Sequence, residues 1–136
     1  MSILAALLVH TAVAGELELR DPRGRPVEPT AADTLVFWSL DCVPCVAELR
    51  AAAAGPSRVI AVNIDPASAS SRVAPYLHSV GIDAVSVLDP ARELSRRLGA
   101  SLPGTMVGLT PDGVVAWRRT PDAPAEPTIG FVTTSR

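Results

Sequence analysis

The most constraining feature of this sequence is a pair of cysteines at the point where a strand pattern ends and a helix pattern begins. Residues 34–38 form a short apolar run with β-branched and aromatic side chains, which is typical of a buried parallel strand. Residues 42–54 show the pattern of a helix, for which we predict Asp41 as the N-cap. Cys42 and Cys45 therefore lie on one side of the first helical turn, where a disulfide can close with little backbone movement.

This placement of the cysteines favours redox chemistry. The N–H groups and the dipole of a helix N-terminus stabilise a thiolate, so we expect the pKa of the Cys42 thiol to lie below its free value of about 8.5. Cys42 is then the expected attacking group, and Cys45 is expected to resolve the mixed disulfide. Two other uses stay open: half of a zinc site, although the chain has no second cysteine pair, and a structural disulfide, although so small a loop constrains the unfolded chain little.

Composition excludes several other classes of protein. A length of 136 residues fits one domain, and a content of 48% hydrophobic and 19% charged residues argues against disorder. All 12 basic residues are arginine, and the net charge of −2 provides no basic field for nucleic acid. We therefore expect no nucleic-acid partner, and the sequence suggests no metal or other cofactor.

The N-terminal segment resembles a short secretory signal. Residues 2–14 carry no charge, include an apolar run, and end in Ala12-Val13-Ala14 before Gly15, a small-x-small cleavage pattern. The segment is shorter than the roughly 18 to 20 apolar residues that a membrane span needs. We predict a signal peptide over 1–14 and a periplasmic or otherwise exported protein. Because no basic residue precedes the apolar run, an N-terminal strand, or a start within a longer signal, stays open.

The rest of the chain predicts an α/β fold with a central mixed sheet flanked by helices. A turn at residues 21–24 indicates a small N-terminal β-hairpin. Residues 15–119 are predicted to form the domain, and 120–136 an irregular C-terminal tail without helical period. Further strands are expected at 59–64, 85–88, 105–109 and 114–117, a second helix at 70–80, and a third helix capped by Asp89-Pro90 that runs to Leu98.

Two segments together resemble the active site of the thioredoxin superfamily. Residues 37–45, Phe-Trp-Ser-Leu-Asp-Cys-Val-Pro-Cys, look like its active-site segment, and residues 102–105, Leu-Pro-Gly-Thr, look like its cis-proline loop. The closer similarity is to exported TlpA/ResA-like thiol-disulfide reductases, through Glu48 and the segments 63–65, 87–90 and 111–113. The resemblance covers roughly residues 16–119 and implies a thioredoxin-like fold, but it does not identify the substrate.

The resemblance also implies roles for residues around the cysteine pair. Cys42 would be the nucleophile and Cys45 the resolving thiol. Pro103 would be cis, although an ordinary trans proline in a loop is the alternative. Its loop would lie against the disulfide, and the backbone of Leu102 would pair with an extended substrate segment. Thr105 completes this predicted substrate-binding loop.

Three further residues are expected to act near the thiols. Glu48 corresponds to an acidic group that influences thiol titration and proton transfer, although a solvated glutamate on a helix face is the alternative. Trp38 would pack beside the site, or serve only as a core aromatic. Asp41 stands where the family commonly has Trp, and its charge beside Cys42 opposes the thiolate, which predicts a more reducing pair. With no lysine in the chain, the helix dipole, Asp41 and Glu48 are left to set thiol reactivity.

The sequence therefore favours an exported thiol-disulfide oxidoreductase. In the family, the usual duty is reductive, such as supplying thiols for cytochrome c maturation. The expected partners are protein thiols or disulfides and an upstream membrane or soluble thiol electron donor, and a monomer is expected. The alternatives are an oxidising, disulfide-forming enzyme that uses the same residues, and a non-catalytic thioredoxin-fold binding or metallochaperone module.

Overall fold

The computed structural model describes residues 19–30, 33–112 and 114–121. After a short N-terminal turn, strands and helices alternate along the chain as far as the fourth strand, which a fifth strand follows directly. In chain order the elements are β1 Asp33–Trp38, α1 Val43–Ala53, β2 Arg58–Asn63, a 3₁₀ turn Ala67–Ala69, α2 Ser70–Ser79, β3 Val85–Leu88, α3 Glu93–Arg97, β4 Met106–Leu109 and β5 Val115–Arg119.

The strands form one mixed sheet in the order β3-β2-β1-β4-β5. Strands β1, β2 and β3 are parallel, β4 runs antiparallel to β1, and β5 runs antiparallel to β4. The central strand β1 leads directly into the segment with the cysteines. In open sheets with parallel strands, binding sites lie at the carboxyl ends of those strands. The cysteine pair lies at this end of the sheet.

Side chains of β1 alternate between two apolar layers, one on each face of the sheet. Leu35 and Phe37 are fully buried on the face covered by α3 and the N-terminal turn. Val36 and Trp38 are fully buried on the face covered by α1 and α2. The second layer, which we call the thiol-side cluster, contains Val36, Trp38, Cys45, Leu49, Val59, Ala61, Val73, Leu77, Ile82 and Met106.

An ion pair joins β1 and β2 at their amino ends. Asp33, of which 2% is exposed, faces Arg58 across the two strands. Arg58 donates from Nε to Oδ1 at 2.8 Å and from Nη2 to Oδ2 at 2.7 Å, and the Thr30 N–H also donates to Oδ2. Burial alone would raise the pKa of Asp33, but the hydrogen bonds and charge of Arg58 and the bond from Thr30 outweigh it and hold that pKa below its usual range.

The third helix starts later than predicted. Asp89 still caps it, because its carboxylate accepts from the N–H groups of Leu94 and Ser95 at 3.1 and 2.9 Å. However, Arg92 adopts a left-handed conformation with φ of 58°, which interrupts the helical path after residue 89. The regular helix is therefore only Glu93–Arg97.

The predicted strands and the second helix are otherwise confirmed to within two residues at each end. The N-terminal hairpin is confirmed as a single antiparallel bridge between Arg20 and Pro26, closed by a turn at Gly24. The predicted signal peptide and residues 122–136 of the predicted tail lie outside the described residues. Within the described ranges, no helix is long and apolar enough to cross a membrane.

Candidate active site

Cys42 and Cys45 form a disulfide at the start of α1, with their Cα atoms 5.3 Å apart. The predicted N-cap was wrong: Cys42 itself caps α1, and its Sγ accepts from the Cys45 N–H at 3.2 Å. The reason is a turn after β1, in which the Cys42 N–H donates to the Ser39 carbonyl and leaves Asp41 exposed outside the helix. The dipole of α1 therefore points directly at the cysteine pair.

The two sulfur-bearing residues differ sharply in exposure. Cys45 is fully buried in the thiol-side cluster, whereas Cys42 is partly exposed. Val43, between them, is 81% exposed, and Pro44 is also exposed. An incoming protein can therefore reach Cys42 and the Val43-Pro44 surface, while Cys45 is accessible only from its partner cysteine.

Two polar residues, Asn63 and Asp65, form a hydrogen-bonded clasp that anchors the turn before the cysteines. The Asp65 carboxylate accepts from the Leu40 N–H at 2.8 Å and from the Asn63 side-chain amide at 2.9 Å. The Asn63 side-chain oxygen in turn accepts from the Asp65 N–H at 3.0 Å, and Asn63 is 1% exposed. The clasp thus ties the carboxyl end of β2 to the turn that leads to Cys42. The segment 63–65 contributed to the family resemblance, but its anchoring role was not predicted from sequence.

The loop at residues 102–105 lies against the disulfide, as the resemblance implied. Its backbone joins the sheet, because the Gly104 N–H donates to the Phe37 carbonyl at 2.6 Å. A Cβ added to Gly104 would lie 3.9 Å from Sγ of Cys45 and 3.3 Å from Cβ of Pro121. A Cβ would make only ordinary van der Waals contact with the sulfur, so glycine is favoured here by its φ of +100° and by the nearby Pro121 ring.

The prediction of a cis bond before Pro103 was wrong: the described residues contain no cis peptide bond. The Thr105 N–H donates to the Leu102 carbonyl at 3.1 Å, and Gly104 has φ of +100°. This is the pattern of a type II turn with Pro at its second position, which accommodates a trans bond, whereas a cis proline would occupy the third position of a type VI turn.

The other residues of this loop differ in what they offer a partner. Leu102 is 45% exposed. Thr105 is fully buried, and its hydroxyl donates to the Leu102 carbonyl at 2.7 Å. Leu102 thus presents an exposed apolar side chain, whereas the Thr105 hydroxyl holds the loop itself together.

Trp38 lies beneath the site rather than on its surface. It is fully buried in the thiol-side cluster with Cys45, and its ring stacks on Tyr76 of α2 with centroids 5.8 Å apart. Among the described residues its indole N–H has no hydrogen-bond partner. Trp38 therefore supports α1 and α2 from the end of β1.

Glu48 lies nearly one helical turn beyond Cys45, and 34% of its side chain is exposed. Its Oε1 accepts from Nη2 of Arg119, on β5, at 2.9 Å. The same Nη2 lies 2.8 Å from Sδ of Met106, a member of the thiol-side cluster. Beside the groups expected from the sequence, the helix dipole, Asp41 and Glu48, this side of the site therefore also holds the cation of Arg119.

Sequence reasoning missed Arg119 for a definable reason. Glu48 and Arg119 are 71 residues apart in the chain, and only the pairing of β4 between β1 and β5 brings them together. The available signal was strand alternation, which places Arg119 on the same face as Trp117 and opposite to Arg118. The sequence does not indicate that this face of β5 lies next to α1, the helix that carries Glu48.

The described residues contain no group of three or more His, Cys, Asp or Glu side chains that could hold a metal ion. The two cysteine sulfur atoms offer thiol-disulfide chemistry. A reduced Cys42 at a helix N-terminus can attack a disulfide, and Cys45, one turn away, can attack the resulting mixed disulfide.

No protein-family model and no curated protein matches this sequence. Solved structures do match. An uncharacterized thioredoxin-like protein from Porphyromonas gingivalis superposes with a TM-score of 0.65 and 22% identity over 78% of each chain. A putative thiol:disulfide interchange protein DsbE from Chlorobium tepidum gives 0.61 and 21% identity, over 76% of this chain and 79% of that one.

A third similar structure is a secreted Mycobacterium tuberculosis disulfide oxidoreductase homologous to Escherichia coli DsbE. It gives a TM-score of 0.60 and 16% identity, over 87% of this chain and 95% of that one. These likenesses confirm that the chain has a thioredoxin-like fold.

Proposed function

We propose that this protein is an exported thiol-disulfide oxidoreductase that reduces disulfides in other proteins. The observation that carries the proposal is the asymmetry of the Cys42–Cys45 disulfide, with one sulfur-bearing residue partly exposed at a helix N-terminus and the other buried behind it. A structural disulfide has no need of an accessible cysteine, whereas exchange requires one that a partner can reach.

The reaction begins with the dithiol form. The Cys42 thiolate attacks one sulfur of a substrate disulfide, that S–S bond breaks, and the departing substrate sulfur takes up a proton. Cys45 then loses its proton and attacks Sγ of Cys42, which releases the second substrate thiol and leaves the Cys42–Cys45 disulfide. The substrate gains two electrons and two protons, and a thiol donor must return two electrons to the enzyme.

The surrounding residues support this sequence of steps. The exposed Val43 and Leu102 offer apolar contacts to the polypeptide around a substrate disulfide. Pro103 and Thr105 shape the loop that carries Leu102 past the disulfide. Glu48 is our candidate for accepting the proton that Cys45 gives up, because it follows Cys45 by one turn.

Two observations favour the reducing direction and an extracytoplasmic site of action. Asp41 is exposed directly before Cys42, where its charge opposes the thiolate and stabilises the disulfide relative to the dithiol. Segment 1–14 has the pattern of a secretory signal, and one structural neighbour is a secreted disulfide oxidoreductase. Supply of thiols for cytochrome c maturation is the duty we propose, by resemblance to the TlpA/ResA-like reductases.

The direct test is reduction of insulin by the purified protein with dithiothreitol as electron donor. We expect the wild type to accelerate insulin precipitation and Cys42→Ser to abolish that acceleration. Absence of acceleration, together with one equivalent of metal that co-purifies with the wild type, would instead support a binding or metallochaperone module. A Cys45→Ser variant should accumulate mixed disulfides through Cys42, and their identification would name the natural substrates.

A further inference from the structure

The Glu48–Arg119 pair connects the last strand of the sheet to the helix that carries the cysteines. Arg119 is the final residue of β5 and lies opposite Met106 of β4 in the strand register. Its guanidinium contacts both Sδ of Met106 and Oε1 of Glu48. Because Met106 and Cys45 belong to the thiol-side cluster, the cation sits at the edge of the apolar layer that buries the resolving cysteine.

Strand alternation makes this placement specific to one of two adjacent arginines. Arg118 points to the other face of the sheet, where its Nη1 lies 2.8 Å from the position of a Cβ built on Gly99, just after α3. The two side chains carry the same charge and stand next to each other in sequence. Only Arg119 faces α1.

We propose that Arg119 is a positioning residue of the redox site, which holds the Glu48 carboxylate beside the thiol-side cluster and offsets its charge. The inference rests on the proposed thiol chemistry of Cys42 and Cys45 and adds a residue to it. Without Arg119, the negative charge of Glu48 would oppose thiolate formation without compensation.

Other titratable groups lie on the segments that surround the cysteine pair. Asp41 precedes the pair, and Asp65 binds the Leu40 N–H at the carboxyl end of β2. Tyr76 of α2 stacks on Trp38, and Arg92, before α3, donates to the Ile64 carbonyl at 3.3 Å. These groups are constant when Glu48 or Arg119 is replaced, so the effect of the pair can be measured by difference.

Replacing Arg119 and replacing Glu48 should shift the thiol pKa values of the reduced protein in opposite directions. Arg119→Gln removes the cation and leaves Glu48 uncompensated, which should raise the thiol pKa values by about half a pH unit. Glu48→Gln keeps an oxygen that can accept from Arg119 but removes the carboxylate charge, and should lower them by a similar amount. The double variant should return to within about 0.2 pH units of the wild type, because both charges are then absent.

The experiment is a pH titration of the reduced protein labelled with ¹³C at the cysteine Cβ atoms, followed by NMR. The chain has only two cysteines, so each signal reports one thiol. Arg118→Gln is the matched control, since it removes the same charge from the opposite face, and it should leave both thiol pKa values unchanged. Arg119→Lys should restore most of the wild-type behaviour because it keeps the charge.

Several results would overturn the proposal. The thiol pKa values could shift in the same direction in Arg119→Gln and Glu48→Gln, or in neither variant. They could also shift as much in Arg118→Gln as in Arg119→Gln. The urea midpoint of each variant shows whether it is as stable as the wild type. If Arg119→Gln unfolds at a lower urea concentration, Arg119→Lys replaces it in the series, and its thiol pKa values must then match those of the wild type. The insulin assay separates this proposal from the proposed function, because opposite shifts without insulin reduction would leave the charge pairing in place and remove the enzymatic role.

Discussion

The two ends of the sheet carry ion pairs of different kinds. At the amino ends of β1 and β2, the Asp33 side chain is 1% exposed, and both of its oxygens accept from Arg58. At the opposite end of the sheet, beside the cysteine pair, the side chains of Glu48 and Arg119 are 34% and 41% exposed and share one hydrogen bond. We call this the redox end. Removing the partner of a buried, doubly bonded carboxylate is costly even though Arg58 is itself 44% exposed, whereas a pair with both members partly exposed adds little stability. The Asp33–Arg58 pair therefore helps to hold β1 and β2 together. The Glu48–Arg119 pair contributes little stability and instead sets the charge near the thiols.

The largest effect should come from the amino end. Asp33→Asn removes a charged acceptor from Arg58 and should lower the free energy of unfolding by about 2 kcal/mol, measured by urea denaturation. Glu48→Gln, the corresponding change at the redox end, should cost less than about 0.5 kcal/mol. If the two variants lose similar stability, the contrast between the two pairs is wrong.

The same carboxylate should make stability depend on pH. The folded pKa of Asp33 lies below its value in the unfolded chain, so its contribution is present above the unfolded pKa of about 3.9 and is lost as pH falls through the folded pKa. The difference in urea midpoint between wild type and Asp33→Asn should be constant from pH 7 to 5 and shrink below about pH 4. A difference that persists unchanged to pH 2 would contradict this assignment.

The next effect concerns the loop beside the disulfide. Gly104→Ala places a Cβ at a residue with φ of +100° and 3.3 Å from Pro121, so it should cost about 1 to 2 kcal/mol and slow reduction of the disulfide by dithiothreitol. Gly55→Ala is the control, because its φ lies outside the left-handed range and its added Cβ meets only the Ala52 carbonyl at 3.4 Å. The Gly55 variant should stay within about 0.5 kcal/mol of the wild type in stability.

A smaller effect should come from the clasp at the redox end. Asp65→Ala removes the acceptor of the Leu40 and Asn63 donors and should cost about 1 kcal/mol, with slower insulin reduction because the turn before Cys42 is released. Asp65→Asn can keep both hydrogen bonds through one oxygen, since both donors use the same carboxylate oxygen. The Asn variant should recover most of the activity; equal losses in both variants would show that the carboxylate charge, not anchoring, matters.

Local sequence signals predicted the fold well. The apolar run of β1 followed by Cys42 and Cys45 identified the strand, the helix and the position of the disulfide, because neighbouring residues determine all three. The N-cap moved from Asp41 to Cys42 because a turn at Ser39 delays the helix, and this depends on backbone geometry that side-chain preference does not reveal.

Features that depend on distant residues could not be predicted in the same way. The bond before Pro103 is a different case: it was predicted to be cis only from the family resemblance, whereas the local Pro103-Gly104 turn favours a trans bond. The contact between Glu48 and Arg119 arises from the order of the strands. The clasp of Asn63 and Asp65 likewise requires β1 and β2 to end side by side.

We propose that the Cys42–Cys45 pair works as a reductant, and its reduction potential tests this role most directly. Equilibration of the purified protein with redox buffers of defined potential, read by thiol alkylation, gives the fraction reduced at each potential. We predict a value near that of thioredoxin, about −270 mV. A value near that of DsbA, about −120 mV, would contradict the claim and identify a disulfide-forming oxidant.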